Sequence, residues 1–171
     1  MNKRSISAAV LFTLLGSASA FADSNNNTST IDQIGDTIAA ETIQEGTGNT
    51  NMSDIDQGLN SASDNLTAFV TQGGNANHNG ATVKQDGTDG YADILQGGDT
   101  NLNTADVTQD GMHNETFVTQ DGSDNTNDAT VQQTGTGALN SAVITQGGSL
   151  NTNSAAITQN GSGLIGSTVQ N

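Results

Sequence analysis

The sequence contains no cysteine, no proline and no tryptophan, and its 171 residues include only one Tyr and four Phe. Without cysteine no disulfide can staple the chain. Without bulky aromatics the apolar class falls to Ala, Val and Ile, which cannot fill the core of an ordinary domain of this length. Bases are nearly absent too: three Lys and Arg stand against 18 Asp and Glu, a formal net charge of −15. Phosphate binding needs basic residues on a face, so nucleic acid is excluded as a partner, and an anionic membrane surface likewise. High charge with low hydrophobicity describes a disordered chain, yet such chains are usually rich in the proline that regular strands exclude.

Residues 1–22 differ from the rest. Lys3 and Arg4 precede an apolar run over 6–15, followed by small residues ending in Ala20-Phe21-Ala22. This is the order of a cleaved secretory signal, and the run is about half of the ~20 apolar residues that a spanning helix requires. Cleavage after Ala22, or alternatively after Ala20, yields an exported protein with Lys84 as its only base and a charge of 1 − 18 = −17. A short polar segment, 23–30, then leads into repeats over 31–171.

The repeat is marked by Gln33, Gln44, Gln57, Gln72, Gln85, Gln96, Gln109, Gln120, Gln133, Gln146, Gln159 and Gln170. Steps from an even-numbered to an odd-numbered segment, such as Gln44 to Gln57 and Gln96 to Gln109, are all of one length. Odd-to-even steps are shorter, except that they are lengthened between Gln57 and Gln72 and between Gln133 and Gln146. The unit is therefore a pair of segments, typified by Gln85 to Gln109, with insertions confined to one of its two connections.

Within each segment the chemistry alternates with period two. Ala81, Val83, Gln85 and Gly87 recur as Ala105, Val107, Gln109 and Gly111, interleaved with Thr and Asp such as Asp106, Thr108 and Asp110. Successive strand residues face opposite sides, so these are half-buried strands of about seven residues. Connections after even segments carry Asn49 and Asn51, Asn77 and Asn79, Asn101 and Asn103, Asn125 and Asn127, or Asn151 and Asn153. The other connections hold Ile38, Gly90, Asn114, Ala138 or Leu164 at the position of the first Asn. Both read as tight turns.

Two strands and two turns per unit predict an all-β, two-sided β-solenoid of about six rungs, on the order of 29 Å high at ~4.8 Å per rung. Inward-pointing Gln, together with Asn49, Asn77, Asn101, Asn125 and Asn151, are expected to stack as amide ladders that satisfy buried polar groups. No capping helix is evident, and exposed strand edges at the ends of such a stack template a second copy.

Gln85, Gly87, Ala92 and Gln96, with Gln109, Gly111, Asn114 and Gln120, resemble the curlin repeat, Ser-x5-Gln-x-Gly-x2-Asn-x-Ala-x3-Gln. Together with the secretory leader, the chain is similar to curli fibre subunits, the secreted functional amyloid of bacterial biofilms. It departs from the pattern where Asn79, Asn103, Asn127 and Asn153 take the Ser position, Gly90 replaces Asn, and Thr116 replaces Ala. Residues 23–30 also lack the Gly-rich segment of the family. The resemblance implies a homopolymeric extracellular fibre serving matrix and adhesion. It further implies a paralogous curli subunit, a periplasmic chaperone and an outer-membrane secretion channel as partners, with no cofactor. Major subunit and nucleator share the repeat, and both assignments stay open.

Asp86, Asp110 and Asp121 follow repeat glutamines on the outward side and are candidate gatekeepers, whose like charges slow self-pairing until the chain is outside the cell. Enzymatic readings find little to work with, because His78 and His113 lie in turns of different type without Cys or a repeated carboxylate beside them. A calcium-dependent adhesin is one alternative, but 96–101 lacks the third Gly and spaced Asp of that repeat. An ice-binding solenoid is another; its outward threonines Thr71, Thr108, Thr119, Thr145 and Thr158 are single, so no Thr-x-Thr array forms.

Overall fold

The computed structural model describes residues 26–58, 63–135 and 139–171, so the leader expected over 1–22 lies outside the described residues. Fourteen strands follow in order: β1 (Thr28–Gln33), β2 (Gly35–Asp36), β3 (Ala39–Gln44), β4 (Thr50–Gln57), β5 (Ser63–Asp64), β6 (Thr67–Gln72) and β7 (His78–Thr88). Then come β8 (Tyr91–Gln96), β9 (Leu102–Met112), β10 (Asn114–Gln120), β11 (Thr126–Gly135), β12 (Asn140–Gln146), β13 (Thr152–Asn160) and β14 (Ile165–Gln170). They form two parallel sheets: a first in the order β1-β4-β7-β9-β11-β13, with β2 and β5 beside it, and a second in the order β3-β6-β8-β10-β12-β14. The chain is a two-sided β-solenoid of about six rungs, as the repeat predicts.

Register follows the glutamines. In the first sheet Gln33, Gln57, Gln85, Gln109, Gln133 and Gln159 stack in one column. In the second, Gln44, Gln72, Gln96, Gln120, Gln146 and Gln170 do so. Neither insertion disturbs this. Pairing resumes at Ser63 opposite Gly35 and at Asn140 opposite Asn114, so the extra residues are absorbed between Gly58 and Ser63 and between Gly135 and Asn140.

Between the sheets the core is one β-branched layer backed by small residues. Ile55, Val83, Val107, Val131 and Ile157 meet Val70, Ile94, Val118 and Ile144, with Ala68, Ala81, Ala92, Ala105, Ala129, Ala142 and Ala155 beside them. Such side chains suit a pleated, closely spaced interior.

The central first-sheet strands exceed the expected seven residues: β7 and β9 have 11 and β11 has 10, against six or seven for each second-sheet strand. Their pairing continues past the Gln through Gly87, Gly111 and Gly135, which lie in register. At Gly111, φ is 109°, and a Cβ there would lie 1.8 Å from the Gly135 carbonyl oxygen. Only glycine lets successive turns approach this closely.

Candidate functional site: the amide ladders

Each repeat Gln sits inward because it shares strand parity with the inward residue two before it, a Val or Ile in ten cases and Thr42 or Thr168 in the outermost strands of the second sheet. In the first sheet Nε2 of Gln33, Gln57, Gln85, Gln109 and Gln133 donates to Oε1 of the Gln one rung later, at 2.7–2.9 Å. In the second sheet Gln44, Gln72, Gln96, Gln120 and Gln146 do the same, at 2.8–2.9 Å. The structure thus brings all twelve into two ladders with a single donor direction.

A primary amide has two N–H groups, and the second is also used. Gln57, Gln85, Gln109, Gln133 and Gln159 donate across the interior to the carbonyls of Ala39, Thr67, Tyr91, Glu115 and Ser141. From the other side Gln72, Gln96, Gln120, Gln146 and Gln170 donate to Met52, Gly80, Thr104, Asp128 and Ser154. One side chain therefore ties rung to rung and sheet to sheet. Each bond contributes about 1 kcal/mol net, and losing an amide would leave buried groups unpaired. Sequence reasoning does not reach the crossing bond, because nothing in a spacing pattern reports the width between two sheets.

The turn asparagines behave differently from the expectation. Asn49, Asn77, Asn101, Asn125 and Asn151 bond to backbone instead of amide to amide. Nδ2 of Asn101 donates to the carbonyls of Gly97 in its own turn and Gly122 in the next, while Oδ1 accepts the N–H of Asn125. Asn49, Asn77 and Asn125 repeat the full set, and Asn151 repeats the bond to its own turn, to Gly147. The tight turn aims its carbonyls at this position, and they capture the amide before its neighbour can.

The true asparagine ladder lies two residues later. Asn103 donates to Asn79, Asn127 to Asn103 and Asn153 to Asn127, at 2.9–3.0 Å. These donors point to the earlier rung, opposite to the glutamines, so the two sets of amide dipoles offset one another. Recurrence alone does not single these residues out, since they recur as faithfully as their partners. In the adjoining rungs Asn51 is buried with its whole amide lacking a partner, as is the Nδ2 of Asn79.

Both departures at 90 and 116 have structural causes. A Cβ on Gly90 would lie 3.0 Å from Leu66 Cδ2, so the buried Leu66 occupies the space that an Asn would need. Thr116 is buried, accepts from Gln109 Nε2 at 3.0 Å and donates to Gln133 Oε1 at 2.8 Å, adding a hydroxyl rung to the first ladder.

Asp86 and Asp110 stack in register on the first sheet, whereas Asp121 opens a turn on the other side, where its Oδ1 accepts the Gly122 N–H. Elsewhere, burial and then the Asp54 charge push the Asp56 carboxyl above its ordinary value, with Lys84 opposing. Burial alone does so for Asp93. His113 lies 3.2 Å from Asp89 in one turn type, while His78 sits at the start of β7 after the other. Among the described residues no three His, Cys, Asp or Glu are grouped to hold a metal ion. Threonines do not form continuous outward columns either: Thr71 aligns with Leu95, and Thr108 with Lys84 and Gln132.

Residues 103–135 match the family model of the curlin associated repeat. This stretch is similar to the curlin repeat. No curated protein and no solved structure matches the chain. The matched stretch runs from the Asn ladder of β9 through β10 to Gly135 of β11, and so spans three repeat glutamines, Gln109, Gln120 and Gln133.

Proposed function

We propose that the protein is the structural subunit of an extracellular, curli-like amyloid fibre and performs no catalysis. Copies stack end to end, extending both glutamine ladders across each junction. The observation that carries this reading is the chemical match between the outermost rungs. On one end Ile157, Gln159, Thr168 and Gln170 face outward along the axis, and on the other Ile31, Gln33, Thr42 and Gln44 occupy the same columns. A second copy would place Ile on Ile, Thr on Thr and amide on amide, and the amide pairing would repeat the one inside the molecule.

The leader over 1–22 sends the chain through the periplasm, with a chaperone there, to an outer-membrane secretion channel and then to a paralogous subunit at the surface. The fibre supports biofilm matrix and adhesion. Asp86, Asp110 and Asp121 act as gatekeepers by like-charge repulsion between closely stacked copies.

Purified mature protein is expected to form fibres that seed fresh monomer and give a ~4.8 Å meridional reflection. Gln159→Ala or Gln170→Ala is expected to slow elongation more than Thr158→Ala, because Thr158 is exposed outside the ladders. Soluble protein that neither seeds nor elongates, but shows thermal hysteresis, would replace this reading with ice binding.

A further inference from the structure

The two outer faces of the solenoid are unlike. On the first sheet the outward residues of β1, β4, β7, β9 and β11 include Asp32, Asp54, Asp56, Asp86, Asp106, Asp110 and Asp128, interspersed with threonines and relieved only by Lys84. On the second sheet all three aromatics of the described residues face outward. Phe69 and Tyr91 have ring centroids 6.1 Å apart, and Tyr91 and Phe117 5.5 Å. Phe69, Phe117 and Val143 share one column with Glu41, Asp93 and Ser167, while Ile43, Leu95 and Val169 share the next with Thr71, Thr119 and Thr145. Leu95 is 46% exposed and Val169 63%.

Apolar side chains make up half of this outward face, and exposed apolar groups gathered on one surface mark interaction sites. Six strands at ~4.8 Å and six residues at ~3.3 Å give the face roughly 29 × 20 Å, or about 580 Å² on each copy. Two copies joined by it bury about 1,150 Å², at the lower edge of what a specific pair requires. One pair of monomers is thus marginal. In a stack the same contact repeats with every subunit, and the contacts add as a multivalent interaction.

Charge selects which faces meet. Pairing two first sheets brings seven aspartates against seven. The second sheet carries only Glu41, Asp93 and Glu115 on its outward side.

We infer that fibres of this protein are two-filament assemblies, in which stacked copies pair laterally through the aromatic outer face of the second sheet and leave the aspartate face in water. The inference rests on the fibre reading above. Its occupant is a second filament of the same chain.

The absence of native cysteine provides a direct test. Leu95→Cys places one thiol on the second face and Thr108→Cys one on the first. Within one filament identical thiols recur only every ~29 Å, the height of six rungs, so a much shorter bis-maleimide can join only laterally paired copies. Leu95→Cys fibres are expected to yield covalent dimers and Thr108→Cys fibres none. Scattering mass per length of wild-type fibres is expected to show two copies per six-rung height, falling twofold in Phe69→Glu/Phe117→Glu fibres and unchanged in Thr82→Glu/Thr130→Glu fibres. Wild-type fibres of one copy per six-rung height, or cross-links at Thr108→Cys instead of Leu95→Cys, would overturn the pairing while leaving end-to-end stacking intact. Failure of the wild type to form any fibre would instead remove the reading on which it stands. Single wild-type filaments whose second face binds neutral phosphatidylcholine vesicles, with Phe69→Glu/Phe117→Glu abolishing binding, would assign that face to lipid and also overturn the pairing.

Discussion

The turns that leave the second sheet and those that leave the first do the same geometric work with different chemistry. After the second sheet four of the five turns are closed by a buried Asn whose amide reaches backbone on both sides, as Asn101 does with Gly97, Gly122 and Asn125. After the first sheet the equivalent column holds Leu66, Gly90, Asn114, Asn140 and Leu164, a mixture of apolar packing and amide bonding. Every turn after the second sheet has one length. Both insertions fall after the first sheet, one in a turn that closes on the packed Leu66 and one in a turn that closes on Asn140, which bonds Asn114, Gly161 and Leu164. The difference shows how a repeat can hold rung spacing strictly on one edge while varying its sequence on the other.

The strongest way to break the comparison is at what both turns share. Gly98→Ala would set a Cβ 1.9 Å from the Gly122 carbonyl oxygen at a φ of 90°. Backbone would have to separate, so a loss above ~4 kcal/mol is expected in denaturant unfolding, enough to abolish the fold. Gly80→Ala, where a Cβ meets nothing within 4 Å, is expected to change stability by less than ~0.5 kcal/mol.

Next in size is the asymmetry itself. Asn101→Ala strands two carbonyls and one N–H at a buried turn and is expected to cost about 3 kcal/mol. Asn114→Ala, which loses bonds to Asp110 and Asn140, is expected to cost about half of that. Equal losses would remove the distinction between the turns. A Gly-Ser insertion sharpens the same point. Between Asp99 and Thr100 it should cost about 2 kcal/mol, because it displaces the Asn101 bonds, whereas between Thr88 and Asp89 the loop-closure penalty alone applies, below ~1 kcal/mol.

Much of this was legible in the sequence. Period two placed Gln85, Gln109 and Gln146 inward, and the constant even-to-odd step identified which turns were rigid. Which Asn formed the ladder was not legible. Asn101 and Asn103 recur with equal regularity, and only the direction of the turn carbonyls decides that Asn101 serves backbone and Asn103 serves its own kind. The contrast between the faces is hidden for a related reason. Phe69, Tyr91 and Phe117 are few and scattered along the chain, and parallel stacking alone gathers them on one surface.

The faces share a pH response and differ in how salt modifies it. A carboxyl whose folded value is raised holds its proton more tightly in the folded state. Its contribution to stability is full below the ordinary value of 3.8 and is lost as pH rises through the folded value. Asp93 on the second face and Asp56 on the first are both of this kind. Assembly is therefore expected to be faster near pH 4 than at pH 8 in low salt, measured as thioflavin lag. Asp93→Asn and Asp56→Asn should each flatten that dependence. Salt at about 0.5 M should flatten the remainder for Asp56, whose shift has a charge component, and leave Asp93 unaffected, because burial alone raises it.

The smallest effect lies in a feature common to both turns that glycine counting does not reveal. Four residues after the Gln the backbone is left-handed in both turn types, with φ of 53° at Ala76, 57° at Thr100 and His113, 54° at Asp124 and 59° at Leu150. A side chain in this region costs roughly 1–2 kcal/mol, yet among the described residues only Gly48 and Gly163 relieve it. Leu150 is 81% exposed and gains little from burial in return. Leu150→Gly is therefore expected to stabilise by about 0.5–1 kcal/mol once the added freedom of the unfolded chain is set against the relieved strain. Asp89→Gly, at the matching position of the other turn, should gain less, because it gives up the contact with His113. Unfolding midpoints of the two variants order the strain left in each turn, and a larger gain at 89 would show that the packed turn, not the hydrogen-bonded one, is the more strained of the pair.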